Sequence, residues 1–584
     1  MICVALIFLY MLLTSYIIGA GVLKLLLKGR ANQVNNLGIV YTGIVTTFVY
    51  AQMYSIFAKV GLICNCIMLL LGLFCAIYSR KEIGDRAKAL KENLKMGRAC
   101  SIMMLFLLFV YGTSRGIIHY DTSLYHAQSI RWIEEYGAVK GLGNLHSRLA
   151  YNSAEFAWSA LYSFSFLGIS SGASMYGNLG QSFHCGAGFL AFLLSLCCGK
   201  RIWDKKGKKV FLSDFVRIFA VYYLLNIFDE MISPASDYFM VLTVFYIVIT
   251  WLDLLENEDS RNSYEPFALL SVLGVLVITI KLSGAFLLLL AVYPAVLMCK
   301  QKKAEQIGKY LILGSLVLLP WLIRGILLSG WLVYPVTALD LFNVPWKIPR
   351  DVAIYDAREI MVWGRGLKDV NQFADPFSVW FPNWFAGIGR TNQGFMLLGM
   401  SGVLVWVALV VKAFKDKNKE TIGHLHLLGC INVCFLYWML SAPLIRYGCV
   451  FLYLAVSLNW GSAVLEIIYG EAKDKDGNVS EKIQKRRMYF ERIFCVLLIL
   501  IGCYKSGTFI GENVLSAKQQ YPVLQKDYET FAVKEYNLHG VSFYYPEEGD
   551  QTGYHYFPAS PVKAEDIFLG DTIKDGFKDV IHSN

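Results

Sequence analysis

Tyr120-Asp121-Thr122-Ser123-Leu124-Tyr125-His126 lies just past the apolar run 99–118 and, with His119, puts a carboxylate, two imidazoles and two phenols into eight residues. Packing at the mouth of a membrane helix needs none of these groups, and ionisable side chains near membrane depth are costly. A carboxylate there can accept the proton of an attacking hydroxyl or amine, which makes Asp121 the candidate general base. A structural role is compatible with this: Asp121, followed by Thr122 and Ser123, stands where a helix N-cap belongs.

The element that carries these residues reads as an amphipathic helix from Asp121 to Tyr136. Leu124, Ala127, Ile130 and Ile133 recur at three-residue spacing, with Gln128, Arg131, Glu134 and Glu135 expected on the wetter side. After Gly137 comes the turn Gly141-Leu142-Gly143-Asn144-Leu145-His146-Ser147-Arg148, polar and glycine-rich. It suits either a ligand-contacting loop or a plain connector.

Composition sets the class. Of 584 residues 56% are hydrophobic and 17% charged, and the mean hydropathy is +0.47. This is the balance of an all-α polytopic membrane protein. About fourteen apolar runs are long enough to span a bilayer: 2–23, 37–57, 60–78, 99–118, 179–199, 212–228, 238–255, 266–280, 283–299, 308–328, 394–413, 424–440, 448–467 and 490–510. The first begins at Ile2 with no charged segment before it and no cleavage site after it, so it reads as a retained helix.

Loops 79–98, 200–209, 300–309, 412–420 and 482–492 carry most of the lysines and arginines and should face the cytoplasm. The formal charge of +10 is then a topology signal and gives no argument for nucleic acid. Keeping loop 200–209 inside requires 152–170 to lie along the outer face, with Glu155 and Trp158 at the interface. Segments 119–178, 329–393 and 511–584 then lie outside. Nearly all fourteen cysteines sit in apolar runs, which suits small buried hydrophobes and offers no disulfide framework. There is no Walker loop, GxSxG elbow, HExxH or EF-hand pattern, and no convincing internal repeat.

A span, then an outer-loop acid opening an amphipathic helix, then an interfacial helix and a return span, resembles the GT-C glycosyltransferases. Further pieces fit: Trp321-Leu322-Ile323-Arg324 with Ser329-Gly330-Trp331, Ser441-Ala442-Pro443-Leu444-Ile445-Arg446-Tyr447, and Gly549-Asp550-Gln551 in the tail. The likeness covers about 99–584, and 1–98 reads as an N-terminal three-span addition. It implies a core at 99–510, a small extracytoplasmic segment at 511–584, and a place in a bacterial cytoplasmic membrane with the site facing out. It also implies a polyprenyl-phosphate-linked sugar as donor, a glycan, lipid or protein as acceptor, and transfer with inversion.

Within that resemblance Asp121 matches the outer-loop acid. The leaving phosphate calls for cations, and arginine's planar fork suits it. Arg446, Arg324 and Lys281 converge on the outer face by topology, or else snorkel or pair with Asp229, Glu230 or Asp237. Tyr125, His126, Arg131, His146 and Arg148 are the other candidate substrate contacts. Some GT-C enzymes need a divalent ion and others do not. His119, Asp237 and Glu155 are the candidate ligands, at no diagnostic spacing. The aromatics of 329–393 suit sugar stacking or an interfacial belt. Two competing functions remain, a flippase or transporter of lipid-linked sugars and a polysaccharide ligase or polymerase. The transporter reading has Asp214, Arg217 and Lys281 lining one path, and the enzyme reading an outward cavity walled by Asp121 and Arg446.

Overall fold

The computed structural model describes residues 1–28, 34–169, 180–203, 209–416, 421–469, 481–511, 521–564 and 567–579. It is mostly helical. In chain order the helices are α1 (Ile2–Leu27), α2 (Asn36–Phe57), α3 (Leu62–Tyr78), α4 (Arg80–Asn93), α5 (Met96–Ser114), α6 (Ala127–Glu135), α7 (Ala154–Leu161), α8 (Gly186–Trp203), α9 (Leu212–Asn226) and α10 (Ser236–Glu256). They continue with α11 (Tyr264–Ile280), α12 (Val292–Lys300), α13 (Glu305–Ser329), α14 (Arg350–Gly364), α15 (Phe377–Gly387), α16 (Arg390–Lys415), α17 (Ile422–Ser441), α18 (Ile445–Tyr469) and α19 (Glu481–Phe509).

Among the described residues nine helices are long and apolar enough to cross a membrane, or ten if the pair α3–α4, bent by 77°, is one span. This falls short of the fourteen expected. The difference is physical: α9 has 15 residues and α11 has 17. At 1.5 Å per residue these reach about 23–26 Å, short of the roughly 30 Å of hydrocarbon. Helices α8 and α19 lie on two further expected runs, 179–199 and 490–510.

Helix α10 is the axis of the bundle. Its middle is buried almost throughout, and α8, α9, α11 and α18 pack around it. Residues 1–98 share that core: Phe8 packs edge-on against Phe189, and Phe48 stacks on Trp158 at 4.6 Å. Helices α1 and α2 touch backbone to backbone, since a Cβ on Gly43 would meet the Ser15 carbonyl oxygen at 1.8 Å.

Two local expectations are overturned. Glu155 and Trp158 do not sit at an interface: α7 is a short helix with every residue buried, and Glu155 and Trp158 are wholly enclosed. Nor is the polar side of α6 wet. Gln128, Arg131 and Glu134 are buried because the C-terminal tail covers them.

The tail folds onto the 119–178 loop. It contains the hairpin β1 (Val533–Leu538) and β2 (Val541–Pro546), antiparallel with Val533 opposite Pro546. The two-residue turn His539-Gly540 has φ of +49° and +81°, the left-handed pair that a twisted hairpin needs. Phe543, Phe568 and Phe577 form one apolar cluster with Trp132, Leu142 and Leu145. A tail this small is marginal alone, and its core is completed by the loop beneath it.

Candidate functional site

Four elements meet at the end of the bundle that carries the tail. The first is the link after α5. Gly116 has φ +117°, and a Cβ there would meet the Asp229 carbonyl oxygen at 2.1 Å, so the chain can pass only with glycine. Ile117 N–H donates to Asp229 O at 2.7 Å, and His119 N–H donates to Ser233 Oγ at 2.8 Å, which fixes His119 against the turn before α10. Thr122–His126 then form one π-helical turn leading into α6.

Asp121 opens that turn, yet its side chain makes no cap bond. It reaches across to α18 instead, where Arg446 Nη2 donates to Asp121 Oδ2 at 2.7 Å. Arg446 is placed by the end of α17. Trp438 Nε1 donates to Leu444 O at 3.0 Å, and α18 breaks at Gly448, whose missing side chain leaves room for the Trp438 ring. The same guanidinium donates from Nη1 to His119 Nε2 at 2.6 Å.

The electrostatics follow from these contacts. Burial pushes the Asp121 carboxyl up, but the Arg446 charge outweighs it and holds the group below its ordinary value. His119 faces the Arg446 donor on one ring nitrogen and the Asp121 N–H on the other. Burial and the Arg446 charge lower its pKa, so the ring is neutral. His126 sits deeper, 3.3 Å from Thr122 Oγ1 and packed on Phe156, and burial lowers its pKa to about 3.

A second cation stands beside this pair. Lys281 caps the end of α11 and pairs with Asp237 in the first turn of α10. Between the two cations lies Tyr447, its ring centroid 4.1 Å from Lys281 Nζ and 5.3 Å from Arg446 Cζ. Tyr238 packs edge-on to His119 and donates to Glu230. Over the loop, Tyr120 donates to Asp550, Gln551 Nε2 donates to Tyr120 O at 2.9 Å, and Gly553 N–H donates to Ser123 O at 2.9 Å. Asp121, Arg446, Lys281, Tyr125 and His126 are thus gathered in one neighbourhood.

The other expected contacts lie elsewhere. Arg131 is spent on the tail, donating to the carbonyls of Tyr554 and His555 at 2.6 and 2.7 Å. Arg148 faces Glu359 at 3.9 Å, and burial takes His146 to about 3. Arg324 is enclosed between α13, α2 and the 152 turn, bonded to Asn152 and Ser55. The metal candidates do not converge: Asp237 is paired with Lys281, and Glu155 accepts from Ser159 Oγ at 2.5 Å inside the core. Among the described residues no group of three His, Cys, Asp or Glu could hold a metal ion.

The charges named for a transport path are split between two ends. Arg217 pairs with Asp253 in the last turn of α10, and Lys281 pairs with Asp237 in its first. Sixteen residues of helix, about 24 Å, separate those two carboxylates. A cavity of about 260 Å³ lies between α1, α2, α10, α11 and α13, and a small one lies beside Arg324. Neither is lined by Asp121 or Arg446, so the expected outward cavity is not among them.

Sequence reading quoted Tyr447 and Asp550 within motifs but gave neither a role at the site. The first had a signal, an aromatic directly after Arg446 at a helix start. The second had none, because about 430 residues separate Tyr120 from its partner. The chain belongs to the family described as "Domain of unknown function (DUF8201)", whose model matches residues 1–453, and so includes Asp121, Lys281 and Arg446 but not the tail. No curated protein and no solved structure matches the chain.

Proposed function

We propose that the chain is a multi-pass membrane glycosyltransferase of GT-C type that moves a sugar from a polyprenyl-phosphate or polyprenyl-diphosphate donor to a glycan, lipid or protein acceptor. The observation that carries this reading is the Asp121–Arg446 pair, a buried carboxylate taken off its capping role and set against a guanidinium that keeps about a third of its surface open. Lys281 and Tyr447 beside it add a second cation and an apolar face.

In this scheme the acceptor O–H gives its proton to Asp121 as its oxygen bonds to the anomeric carbon. The bond from that carbon to the phosphate oxygen breaks, and the phosphate leaves with the electron pair, inverting the centre. Arg446 and Lys281 meet the charge that builds on the phosphate. An arriving phosphate competes with Asp121 for Arg446. As the guanidinium turns to it, the carboxylate loses its strongest partner and its basicity rises toward the ordinary value. In this reading the basic loops face the cytoplasm, and this end of the bundle faces the extracytoplasmic side of a bacterial inner membrane.

The test is sugar transfer by purified protein in nanodiscs, with a panel of radiolabelled polyprenyl-phosphate and polyprenyl-diphosphate sugars and a folding check on each variant. Asp121→Asn should lower transfer, or slow hydrolysis to water, about 10²–10⁴-fold. Equal donor binding by both proteins with no cleavage by either across the panel would overturn the enzyme reading in favour of a carrier.

A further inference from the structure

Arg324 is the unexplained charge of this fold. It sits in the last part of α13 and is 2% exposed. Its guanidinium donates from Nε to Asn152 Oδ1 at 3.0 Å and from Nη1 to Ser55 Oγ. Both partners are neutral, and among the described residues no carboxylate pairs with it, whereas buried Arg217 has Asp253 at 2.7 Å. A buried cation without a counter-charge carries a large desolvation cost.

A small cavity of about 10 Å³ lies against this guanidinium. Four other polar residues line it: Tyr151 and Asn152, already bonded to Asp356 and Arg324, and Ser129 and Trp132, three residues apart and so on one face of α6. Ser129 Oγ and Trp132 Nε1 are both buried and have no hydrogen-bond partner. The remaining wall is mainly apolar, with Leu328 and Phe156 among its residues. The space suits one particle of about water size. Arginine and the indole N–H can only donate. A water there would leave the guanidinium charge uncompensated, whereas a monatomic anion accepts from Arg324, Trp132 and Ser129 and cancels it.

We infer that Arg324, Trp132 and Ser129 form a closed binding site for a single small monovalent anion, a halide such as chloride. The cavity is too small for a phosphate, which separates Arg324 from the donor phosphate of the Asp121 site. The anion ties α13 to α6, the helix that leads directly from the Asp121 turn.

The experiment is thermal unfolding of the full-length protein in detergent, at fixed ionic strength, in gluconate, chloride or bromide, with crystals grown in bromide for anomalous scattering. The expected result is an unfolding midpoint that rises saturably with chloride and bromide over gluconate, and an anomalous peak within hydrogen-bond reach of Trp132 Nε1 and Arg324. Arg324→Met should abolish the response. Trp132→Phe, which removes one donor and keeps an aromatic ring, should raise the half-saturating concentration about tenfold. If Arg324→Met does not fold, Trp132→Phe and the bromide peak still decide. The same midpoint in all three salts, with no anomalous peak in the cavity, overturns the inference.

Discussion

Two arginines of this protein, one half-buried and one enclosed, meet the same electrostatic problem in opposite ways. Arg446, at the start of α18, has a carboxylate partner, a neutral imidazole and an open edge. Arg324, near the end of α13, has two neutral oxygens, a small cavity beside it and, among the described residues, no carboxylate. A paired and partly open guanidinium can exchange its partner for an incoming anion, because Asp121 is already a ligand of the right charge. An unpaired and enclosed one has no such exchange to make. Its counter-charge, if it has one, must be small and resident. The contrast separates a site poised for turnover from one suited to structure.

The largest expected effect breaks the first half of this comparison. Arg446→Gln removes the phosphate contact and leaves Asp121 buried without its cation. Sugar transfer in the nanodisc assay should fall about 10²-fold or more, as for loss of a charge-stabilising donor. Breaking a buried pair also costs on the order of 3 kcal/mol, so the unfolding midpoint should drop as well. Arg324→Met should lower transfer far less and lose only the halide response. Equal losses of transfer in the two variants would return both arginines to one site.

A second contrast, between the carboxyls Asp121 and Glu155, is sharpened by pH. Asp121 is held below its ordinary value, so its contribution is present above the unfolded value and is lost as pH falls through the folded one. His126, lowered to about 3 by burial, acts in the same direction: its contribution is full above pH 6.5 and is lost on acidification toward 3. Glu155 runs the other way. Burial raises it to about 8, so stability falls as pH rises from about 4.5 to 8. Glu155→Gln should therefore gain on wild type by on the order of 3 kcal/mol between pH 5 and pH 8, read from unfolding midpoints at both. A constant difference across that range would show that Glu155 does not stay protonated in the fold.

Much of this was legible in the residues and some was not, for identifiable reasons. Helix positions followed from apolar runs, and Arg446 and Lys281 could be placed near Asp121 because each ends or begins a run on the same side. The span count is not confirmed: nine or ten helices among the described residues are long and apolar enough, and α9 and α11 are shorter than a full crossing. Amphipathic α6 misled because its polar side chains serve the tail: Gln128 and Arg131 bond carbonyls more than 420 residues away. Glu155 looked interfacial because a lone acid in an apolar run usually is. Its burial depends on the packing of α7 against α2 and α6, which no local pattern encodes.

The smallest expected effect concerns the clamp between tail and site. Tyr120 donates to Asp550 at the surface, and Tyr120 is more than half exposed. Exposed pairs contribute roughly 0–1 kcal/mol, so Tyr120→Phe should move the unfolding midpoint little. The clamp's effect should show instead in access, because residues 550–553 lie across the turn that holds Asp121. If the tail is a cover that must lift for the lipid donor, loosening it raises the rate of donor binding while leaving the rate of transfer from bound donor unchanged. Stopped-flow binding of a fluorescent polyprenyl-phosphate sugar, set beside single-turnover transfer, separates the two. A faster first step with an equal second step makes the tail a gate. A slower second step would instead place Tyr120 in the chemistry, and the open edge of Arg446 would then be only the visible part of a larger site.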